Sequence, residues 1–348
     1  MLTLLSAVFI GVSVTMILTL VGVSDGMLGE IAARSKGTGA DVLVRPPGSS
    51  VLAYSGAMPQ GIVGVVRGVP HVALATGALY QGIGNFDSIT GINLQEFSQL
   101  SGGLKYLDGG PFSNTGELVI DEVYAAAKKL HVGDSPKDLG LQWRVSGIVQ
   151  QGKLSRMFAP LDYLQDRYSQ KDKISMVYVK VDDPANIGPV VDALKEKLQD
   201  YKIYPMDEFV SLISVDSVPM LKQFTGVVIG LGVVIGFLVV FLAMYMAVLE
   251  RTREIGILKA LGASPGYIMG ILLREAVILA IIGTIVGILF TFGTRSVIHV
   301  FAPTWSTSIV KSWWPRALVI ALAAALLGAI YPGLKAARQD AIEALSYD

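Results

Sequence analysis

A charged island between two long apolar runs holds the residues of this sequence that are best placed to bind another molecule. The island consists of Glu250, Arg251, Thr252, Arg253, Glu254, Ile255, Gly256, Ile257, Leu258, Lys259, Ala260, Leu261, Gly262, Ala263 and Ser264. Its chemistry would be noncovalent, because Ile255, Leu258 and Leu261 give a helix over 250–261 an apolar face within a charged surround. Gly262 and the Ala-Ser-Pro that follows predict the end of this helix. From these residues alone two roles stay open: a helix lying in the lipid headgroup layer, and a helix whose apolar face fits a groove on a cytosolic partner.

Other reactive residue types lack the spacing of a catalytic or metal site. His71, His131 and His299 are scattered, so we expect no bound metal, and the absence of cysteine excludes thiol chemistry and disulfides. The sequence contains no His-Glu-x-x-His motif. It also contains no Gly-x-x-x-x-Gly-Lys-Ser/Thr loop, so this chain is not expected to hydrolyse ATP by itself. The 28 basic residues balance the 28 acidic ones, which argues against nucleic acid as a partner.

The helices that must position the island are predicted from a composition that is typical of membrane proteins. Hydrophobic residues make up 52% and charged residues 16% of the 348 residues, and the mean hydropathy is +0.55. About 20 consecutive apolar residues are enough to cross a bilayer. Such runs occur at 2–23, about 225–249, 276–293 and 313–331. We therefore predict an α-helical membrane protein with four transmembrane helices: helix 1 within residues 1–24, an extracytoplasmic domain with stalk ends at 25–220, and a permease domain at 221–348.

The basic residues predict the orientation of these helices. Four of them lie between the second and third spans, and Lys335 and Arg338 lie in the C-terminal tail, so both segments should be cytoplasmic. With four spans, the N-terminus then also lies inside and the large insert outside. A cleaved signal peptide is the rival interpretation of the first run. It is disfavoured because the run is long, has no basic start and has no Ala-x-Ala site before Asp25.

The insert between the first two spans is predicted to be an α+β domain. Strand patterns occur at 40–45, 72–80, 117–120, 141–149, 174–181 and 202–204, and helical spacing at 122–130 and 187–198. Because the two patterns interleave, an α+β domain is favoured over a β-sandwich. The segment 116–168 is expected to form a separate β-rich lobe.

At its two ends the insert runs directly into the membrane spans. Residues 27–33 could extend the first span as a helix, and residues 207–221 could lead helically into the second, with a kink at Pro219. Two such helices would form a stalk that transmits movement between the bilayer and the insert. Two short connectors are an alternative of equal standing.

Small residues at four-residue spacing run along the predicted spans. The rows are Gly226 and Gly230, Gly232 and Gly236, Gly283 and Gly287, and Ala317, Ala321, Ala325, Ala329 and Gly333. Such rows allow close approach of helix backbones in lipid, and for each pair we favour packing within one subunit.

The span interiors contain no Asp, Glu, Lys or His, which disfavours a proton- or ion-coupled carrier and favours an energy source elsewhere.

Two motifs resemble one known family. Residues 250–263 are similar to the signature that follows the second span in permeases of the MacB, LolC/LolE and FtsX superfamily, the type VII ABC transporters. Residues 331–345 resemble the closing motif of the family, with Ala341 where Pro is common. Within the insert, residues 118–133, 143–149 and 159–161 are similar to the MacB-like periplasmic core pattern. Family members usually begin with a basic amphipathic cytoplasmic helix, whereas this sequence starts directly in the first span, so the completeness of the N-terminus stays open.

The resemblance implies a permease dimer, of two copies or of two paralogues, in the bacterial cytoplasmic (inner) membrane. Each half would bind a separate cytosolic ABC ATPase through a coupling helix at 250–261. The ATPase would hold ATP and Mg, and this chain would bind no cofactor. ATP-driven closure would then move the stalk and the outer domain without substrate crossing through the spans, a mechanism called mechanotransmission.

The activity that the resemblance implies is export or extraction of an amphiphilic substrate, such as a lipid, lipoprotein, peptide or drug. Membrane lipid, a periplasmic adaptor and an outer-membrane component are the further partners that we expect. Two other functions are kept as alternatives. One is an FtsX-like regulatory complex that activates an extracytoplasmic enzyme without transport; the other, disfavoured by the coupling motif, is a stand-alone membrane receptor.

Overall fold

The chain divides into two compact units. The first consists of residues 1–26, 219–301 and 307–348, and the second of residues 27–218 and 302–306. The computed structural model describes residues 2–50, 56–83, 87–136, 143–215, 217 and 219–338. In chain order, the elements are α1 (Leu2–Lys36), β1 (Val42–Arg45), β2 (Met58–Pro59), α2 (Ile62–Arg67), β3 (Val72–Gly82), β4 (Ser88–Ile92), α3 (Leu94–Ser101), β5 (Tyr106–Gly109), β6 (Glu117–Asp121), α4 (Glu122–Lys128), β7 (Arg144–Val149), β8 (Met157–Pro160), α5 (Leu161–Arg167), β9 (Lys173–Ile174), β10 (Met176–Val181), α6 (Ile187–Lys197), β11 (Lys202–Pro205), α7 (Met206–Ser211), α8 (Pro219–Glu250), α9 (Thr252–Ala260), α10 (Pro265–Phe301) and α11 (Trp313–Arg338).

The four predicted membrane helices are confirmed. α1, α8, α10 and α11 are long and apolar enough to cross a bilayer. Each extends beyond the apolar run that predicted it; α10, for example, starts at Pro265 rather than near residue 276. Ser264 caps this start, because its Oγ accepts the Tyr267 N–H at 3.2 Å. Proline suits the first helical position since its missing N–H would have no partner there.

Small residues bring the helices of the first unit together, but not all of the predicted rows do so. A Cβ added to Gly283 would lie 2.6 Å from Ile10 Cγ2, and one added to Gly287 would lie 2.7 Å from the Gly11 carbonyl oxygen, so α1 and α10 touch through their backbones. On α11 the alanine row is buried, at Ala317, Ala321, Ala325 and Ala329.

On α8, Gly232 and Gly236 pack against neighbouring helices. A Cβ at Gly232 would lie 2.9 Å from Ile17 Cδ1, and one at Gly236 would lie 3.5 Å from Ala324 Cβ. By contrast, Gly226 and Gly230 have no described atom within 4 Å of an added Cβ. The structure therefore gives no support to a packing role of Gly226 and Gly230 within the subunit. Because successive residues rotate by about 100°, a shift of six residues turns a row to another face of the helix.

The second unit is the predicted α+β domain, built on one mixed sheet. Nine of the described strands follow the order β11-β1-β10-β3-β4-β8-β6-β7-β5, and β2 pairs separately with β9. Neighbours are antiparallel except for β4 with β8 and β6 with β7, which are parallel. The helix α4 supplies the crossover that the β6 to β7 connection requires. On the sheet, α2 and α3 pack against β3, α5 packs against β4, and α6 packs against β11.

The expectation of a separate β-rich lobe at 116–168 is wrong. β8 lies between β4 and β6 in the sheet, with Thr90 opposite Phe158 on one side and Val119 opposite Phe158 on the other. The strands of this segment therefore continue the sheet of the rest of the domain. β4 and β8, which form the link, were not predicted, because Gly91 in β4 and Pro160 in β8 weaken a strand pattern.

Only the first of the two predicted stalk paths is continuous. α1 contains 35 residues, which at about 1.5 Å per residue is about 50 Å, longer than the ~30 Å hydrocarbon core. Its residues 27–36 group with the second unit. On the other path α7 ends at Ser211 and α8 begins at Pro219, so Pro219 starts a helix instead of kinking one.

Candidate functional site

The inward face of α9 is fixed to the helices of its own unit. Thr252, Ile255 and Gly256 are buried, and Ile255 belongs to the apolar core of the helix bundle. Thr252 Oγ1 donates to the Val248 carbonyl of α8 at 2.9 Å, and Lys259 Nζ donates to the Ala337 carbonyl of α11 at 2.7 Å. These contacts hold α9 at both of its ends.

The outward face of α9 presents apolar side chains. Ile257 is 46% exposed, Leu258 37% and Leu261 81%. The three positions are related as i, i+1 and i+4, which places them side by side on one face of the helical turn. Arg253 and Glu254 are also exposed and flank this face. We call the set Ile257, Leu258 and Leu261 the outer apolar face.

Ile255, Leu258 and Leu261, which the sequence predicts to share one apolar face, lie in two different environments in the structure. Ile255 is only 8% exposed. Positions six residues apart differ by about 120° around a helix axis, because each residue turns it by about 100°. Ile255 and Leu261 therefore point in different directions, and Ile257, not Ile255, is the third exposed apolar residue.

Gly262 ends α9 as the sequence indicated. Its φ of +95° lies in the left-handed region, where glycine has no Cβ to clash. The Ala263 N–H donates to the Leu258 carbonyl and the Gly262 N–H to the Lys259 carbonyl, both at 2.9 Å. This pair of bonds is a Schellman motif, which stops the helix and turns the chain toward α10. At the other end Glu250 closes α8, and Arg251 lies 3.5 Å from Glu275 of α10.

The two sequence motifs that carried the family resemblance meet in this region. Ala337 belongs to the closing motif at 331–345, and Lys259 to the island. Residues 339–345 of the closing motif lie outside the described residues. The part that is described already places the end of α11 against the end of α9.

A second candidate site lies in the second unit, where four charged side chains form a cluster. Glu30 Oε1 accepts hydrogen bonds from Arg34 and, at 2.6 Å, from Arg156 Nη2. Arg34 Nη2 lies 3.3 Å from Asp121 Oδ2. Asp121 is 1% exposed, and the side chains of Arg156, Arg34 and Glu30 are 13%, 14% and 19% exposed. We call Glu30, Arg34, Asp121 and Arg156 the charge cluster.

Three chain segments meet at the charge cluster. Glu30 and Arg34 come from the C-terminal end of α1, Asp121 from the end of β6, and Arg156 from the residue before β8. Arg156 Nη2 also donates to the carbonyl oxygen of Thr304, between α10 and α11, at 2.9 Å. Arg156 therefore contacts α1, the end of β6 and the segment between α10 and α11.

Asp121 is the most firmly held member of the cluster. Its Oδ1 accepts the Tyr124 N–H at 2.7 Å and so caps α4, and its backbone N–H donates to the Arg156 carbonyl at 2.8 Å. Burial raises the pKa of its carboxyl, against the lowering effects of the Tyr124 N–H and of both arginines. Arg156 Nη1 is buried and finds no hydrogen-bond partner among the described residues, since Asp121 Oδ2 is 3.7 Å away.

A cavity of about 210 Å³ adjoins the cluster. Met27 and Ile31 of α1, Met157, Met176 and Trp305 contribute apolar side chains to its lining, and Arg34 and Arg156 also line it. This site was not predicted from the sequence. The i, i+4 spacing of Glu30 and Arg34 was its only local signal, because Arg156 lies 126 residues from Glu30.

The histidines are dispersed through the described structure. His71 Nδ1 lies 3.0 Å from Asp182 Oδ2, and His131 Nδ1 lies 3.6 Å from Asp134 Oδ2. His299 Nε2 is 3.4 Å from Thr307 Oγ1. Within the part of the chain that the structure describes, no group of three His, Cys, Asp or Glu side chains is arranged to hold a metal ion.

Comparison with known families matches most of the sequence. Residues 3–197 match the MacB-like periplasmic core domain, and residues 226–341 match the FtsX-like permease C-terminal domain. The second match contains α9 and most of the three helices around it. The first contains α1 and all four residues of the charge cluster.

Similar proteins are ABC transporter permeases. The chain is 29% identical over 225 residues to YknZ, an uncharacterized ABC transporter permease of Bacillus subtilis strain 168. The matched region covers 62% of this chain and 55% of YknZ. It is 23% identical over 382 residues to the macrolide export ATP-binding/permease protein MacB of Escherichia coli strain 536, covering 99% of this chain and 58% of that protein. The chain thus spans little more than half the length of these curated relatives. Among solved structures, the periplasmic region of MacB from Actinobacillus actinomycetemcomitans is similar over 51% of this chain and 94% of that one, with a TM-score of 0.38 and 17% identity.

Proposed function

The chain belongs to the MacB- and FtsX-like superfamily of ABC transporter permeases, and from this premise we propose that the outer apolar face of α9 is the docking site of a cytosolic ABC ATPase. The ATPase would be a separate subunit that holds ATP and Mg. The observation that carries the proposal is the division of α9 into a face fixed to its own unit and a face that exposes Ile257, Leu258 and Leu261.

The rival role for this face is insertion into the lipid headgroup layer. Helices that lie in that layer are typically rich in basic residues on the polar face, which attract anionic lipids. In α9 and its flanks, Lys259 is bound to the Ala337 carbonyl, and Arg251 lies 3.5 Å from Glu275. Arg253 is next to Glu254, so little net positive charge is left for lipid. The charge pattern favours a protein groove that covers the apolar residues.

We infer that α1 would transmit the movement driven by the ATPase. This helix runs without a break from residues of the first unit into residues of the second. ATP-driven closure of two permease halves would displace α1, and with it the outer domain, in the manner called mechanotransmission. The outcome proposed is export or extraction of an amphiphilic substrate at the outer face of the cytoplasmic membrane. The absence of acidic residues, lysine and histidine from the predicted span interiors agrees with a substrate that does not pass through them.

Site-specific photocross-linking distinguishes the ATPase from lipid as the neighbour of α9. A photoreactive phenylalanine analogue is placed at Leu261 in the full chain within native host membranes, and cross-linked products are identified by mass spectrometry. We expect an ABC ATPase. The matched control is Leu107, a 51% exposed leucine of the outer domain, which should give no ATPase product.

Cross-links from Leu261 to lipid alone would contradict ATPase docking. If the ATPase is cross-linked, the role of the complex follows from ATP-dependent release of amphiphiles from reconstituted vesicles. Assembly and ATP hydrolysis without release, together with activation of an extracytoplasmic enzyme, would instead establish the FtsX-like regulatory role.

A further inference from the structure

The charge cluster joins the outer end of α1 to the sheet of the outer domain. Two residues of α1, Glu30 and Arg34, alternate with Asp121 of β6 and with Arg156, which precedes β8, so that each carboxylate faces an arginine from the other side of the cluster. The Arg156 bond to the Thr304 carbonyl adds the segment between α10 and α11. All of these atoms belong to the second unit.

Stability alone is a poor explanation for this arrangement. Buried ion pairs are often no more stabilising than apolar side chains of similar volume, since the charges must be removed from water. Apolar contacts are available at this place, as Met27, Ile31 and Met157 already line the adjoining cavity. A directional network does what apolar contacts do not: it fixes one arrangement of two segments, and loses its bonds if they shift by a few ångströms.

We propose that the charge cluster is the mechanical joint through which displacement of α1 is delivered to the outer domain. Arg156 and Glu30 are its positioning residues: they make α1 residues 27–36 and the sheet move as one body. The proposal rests on the proposed function, which supplies the displacement, and it adds the residues that transmit it.

A second, exposed ion pair joins α1 to another element of the same unit and provides a matched control. Lys36 Nζ of α1 lies 2.9 Å from Asp207 Oδ1 of α7, with side chains 55% and 91% exposed. Exposed ion pairs contribute little because water screens them. Removing Lys36 should therefore leave the joint intact, whereas removing a member of the charge cluster should loosen it.

The experiment uses spin labels, for which the absence of native cysteine is convenient. The first pair, Ala33→Cys on α1 and Asp192→Cys on α6, reports the joint itself by pulsed electron spin resonance in lipid nanodiscs. We expect a narrow distance distribution in the parent and in Lys36→Ala, and a broadened one in Arg156→Met. Glu30→Gln, a nearly isosteric change that leaves the Asp121 cap untouched, should broaden it as well if Arg156→Met does not fold.

The second label pair, Lys311→Cys and Asp192→Cys, reports movement driven by ATP in the complex with the ATPase. The parent and Lys36→Ala should show an ATP-dependent change of distance, and the cluster variants should lose most of it while still binding the ATPase and hydrolysing ATP. Unchanged distributions from the first pair, or an undiminished ATP-dependent change in the second, would overturn the joint. Failure of the parent to bind any ATPase would contradict the proposed function instead, and the first label pair would still test the joint.

Discussion

Lys259 Nζ donates a hydrogen bond to the carbonyl oxygen of Ala337 at 2.7 Å, across 78 residues of sequence. The bond joins the last turn of α9 to the last turn of α11. A force applied to α9 by a partner would therefore reach α11 directly, as well as α8, where Thr252 is bonded to Val248. The helix is thus suited to load two membrane helices at once.

The Lys259 bond should contribute measurably to the stability of the helix bundle. We expect Lys259→Met to lower the free energy of unfolding by about 1–3 kcal/mol, because a hydrogen bond from a charged donor is lost and the Ala337 carbonyl is left without it. Equilibrium unfolding in mixed micelles measures the change. Arg253→Met, at an exposed position of the same helix, is the control and should have little effect. Equal losses in the two variants would show that the bond does not hold α9.

The two faces of α9 should respond differently to truncation. Ile255→Ala is expected to cost about 2–5 kcal/mol of unfolding free energy, because the side chain is 8% exposed and its removal leaves a cavity in the bundle. Leu261→Ala, at an 81% exposed position, should change it by no more than about 0.5 kcal/mol. The same micelle unfolding assay gives both values. A large loss for Leu261→Ala would mean that its side chain is covered within its own chain and is not free for a partner.

The glycines of the spans should separate into two groups. We expect Gly287→Ala to destabilise the bundle by about 1–3 kcal/mol, since the added Cβ would lie 2.7 Å from the Gly11 carbonyl oxygen and from Val14 Cβ. Gly230→Ala meets no described atom within 4 Å and should be neutral, or slightly stabilising through helix propensity. Thermal unfolding of the two purified variants tests the difference. Should Gly230→Ala prove as harmful as Gly287→Ala, Gly230 must pack against something outside this chain.

The Asp121 carboxyl predicts a pH dependence. Burial raises its pKa, so the folded chain binds this proton more tightly than the unfolded chain does. The stability that Asp121 contributes is therefore fully present below its unfolded pKa of about 3.9 and is lost as pH rises through the raised folded value. We expect the stability of the parent relative to Asp121→Asn, which can still cap α4, to fall as pH rises from 4 toward 7. A difference that grows with pH would mean that the two arginines outweigh burial.

The sequence predicts the membrane part well because its signal is strong and local. About 20 apolar residues in a row have few interpretations, and all four spans are found. The predicted strands and helices of the α+β domain also occur among the described residues, since alternation and helical spacing are local patterns; residues 141–142 of the strand predicted at 141–149 lie outside them. The strand Met157–Pro160 ends in proline, which weakens a strand pattern, and the continuity of the sheet through this strand was therefore not predicted.

Tertiary relationships account for the rest of the differences. Gly230 and Gly236 have the same spacing signal in the sequence, yet only Gly236 meets another helix, because the pattern does not say which face of α8 has a neighbour. The assignment of Ile255 to the exposed face failed for the same reason. Arg156 gave no signal at all, since its partner Glu30 is 126 residues away.

The most direct test of the central claim, that the outer apolar face of α9 docks an ATPase, is the affinity of the ATPase for the permease in nanodiscs. The double variant Leu258→Asp and Leu261→Asp places charges on the exposed face while leaving buried Ile255 intact. We predict that the double variant folds with unchanged thermal stability and loses most of its affinity for the ATPase, whereas Leu107→Asp in the outer domain binds like the parent. Full affinity in the stably folded double variant would contradict the claim.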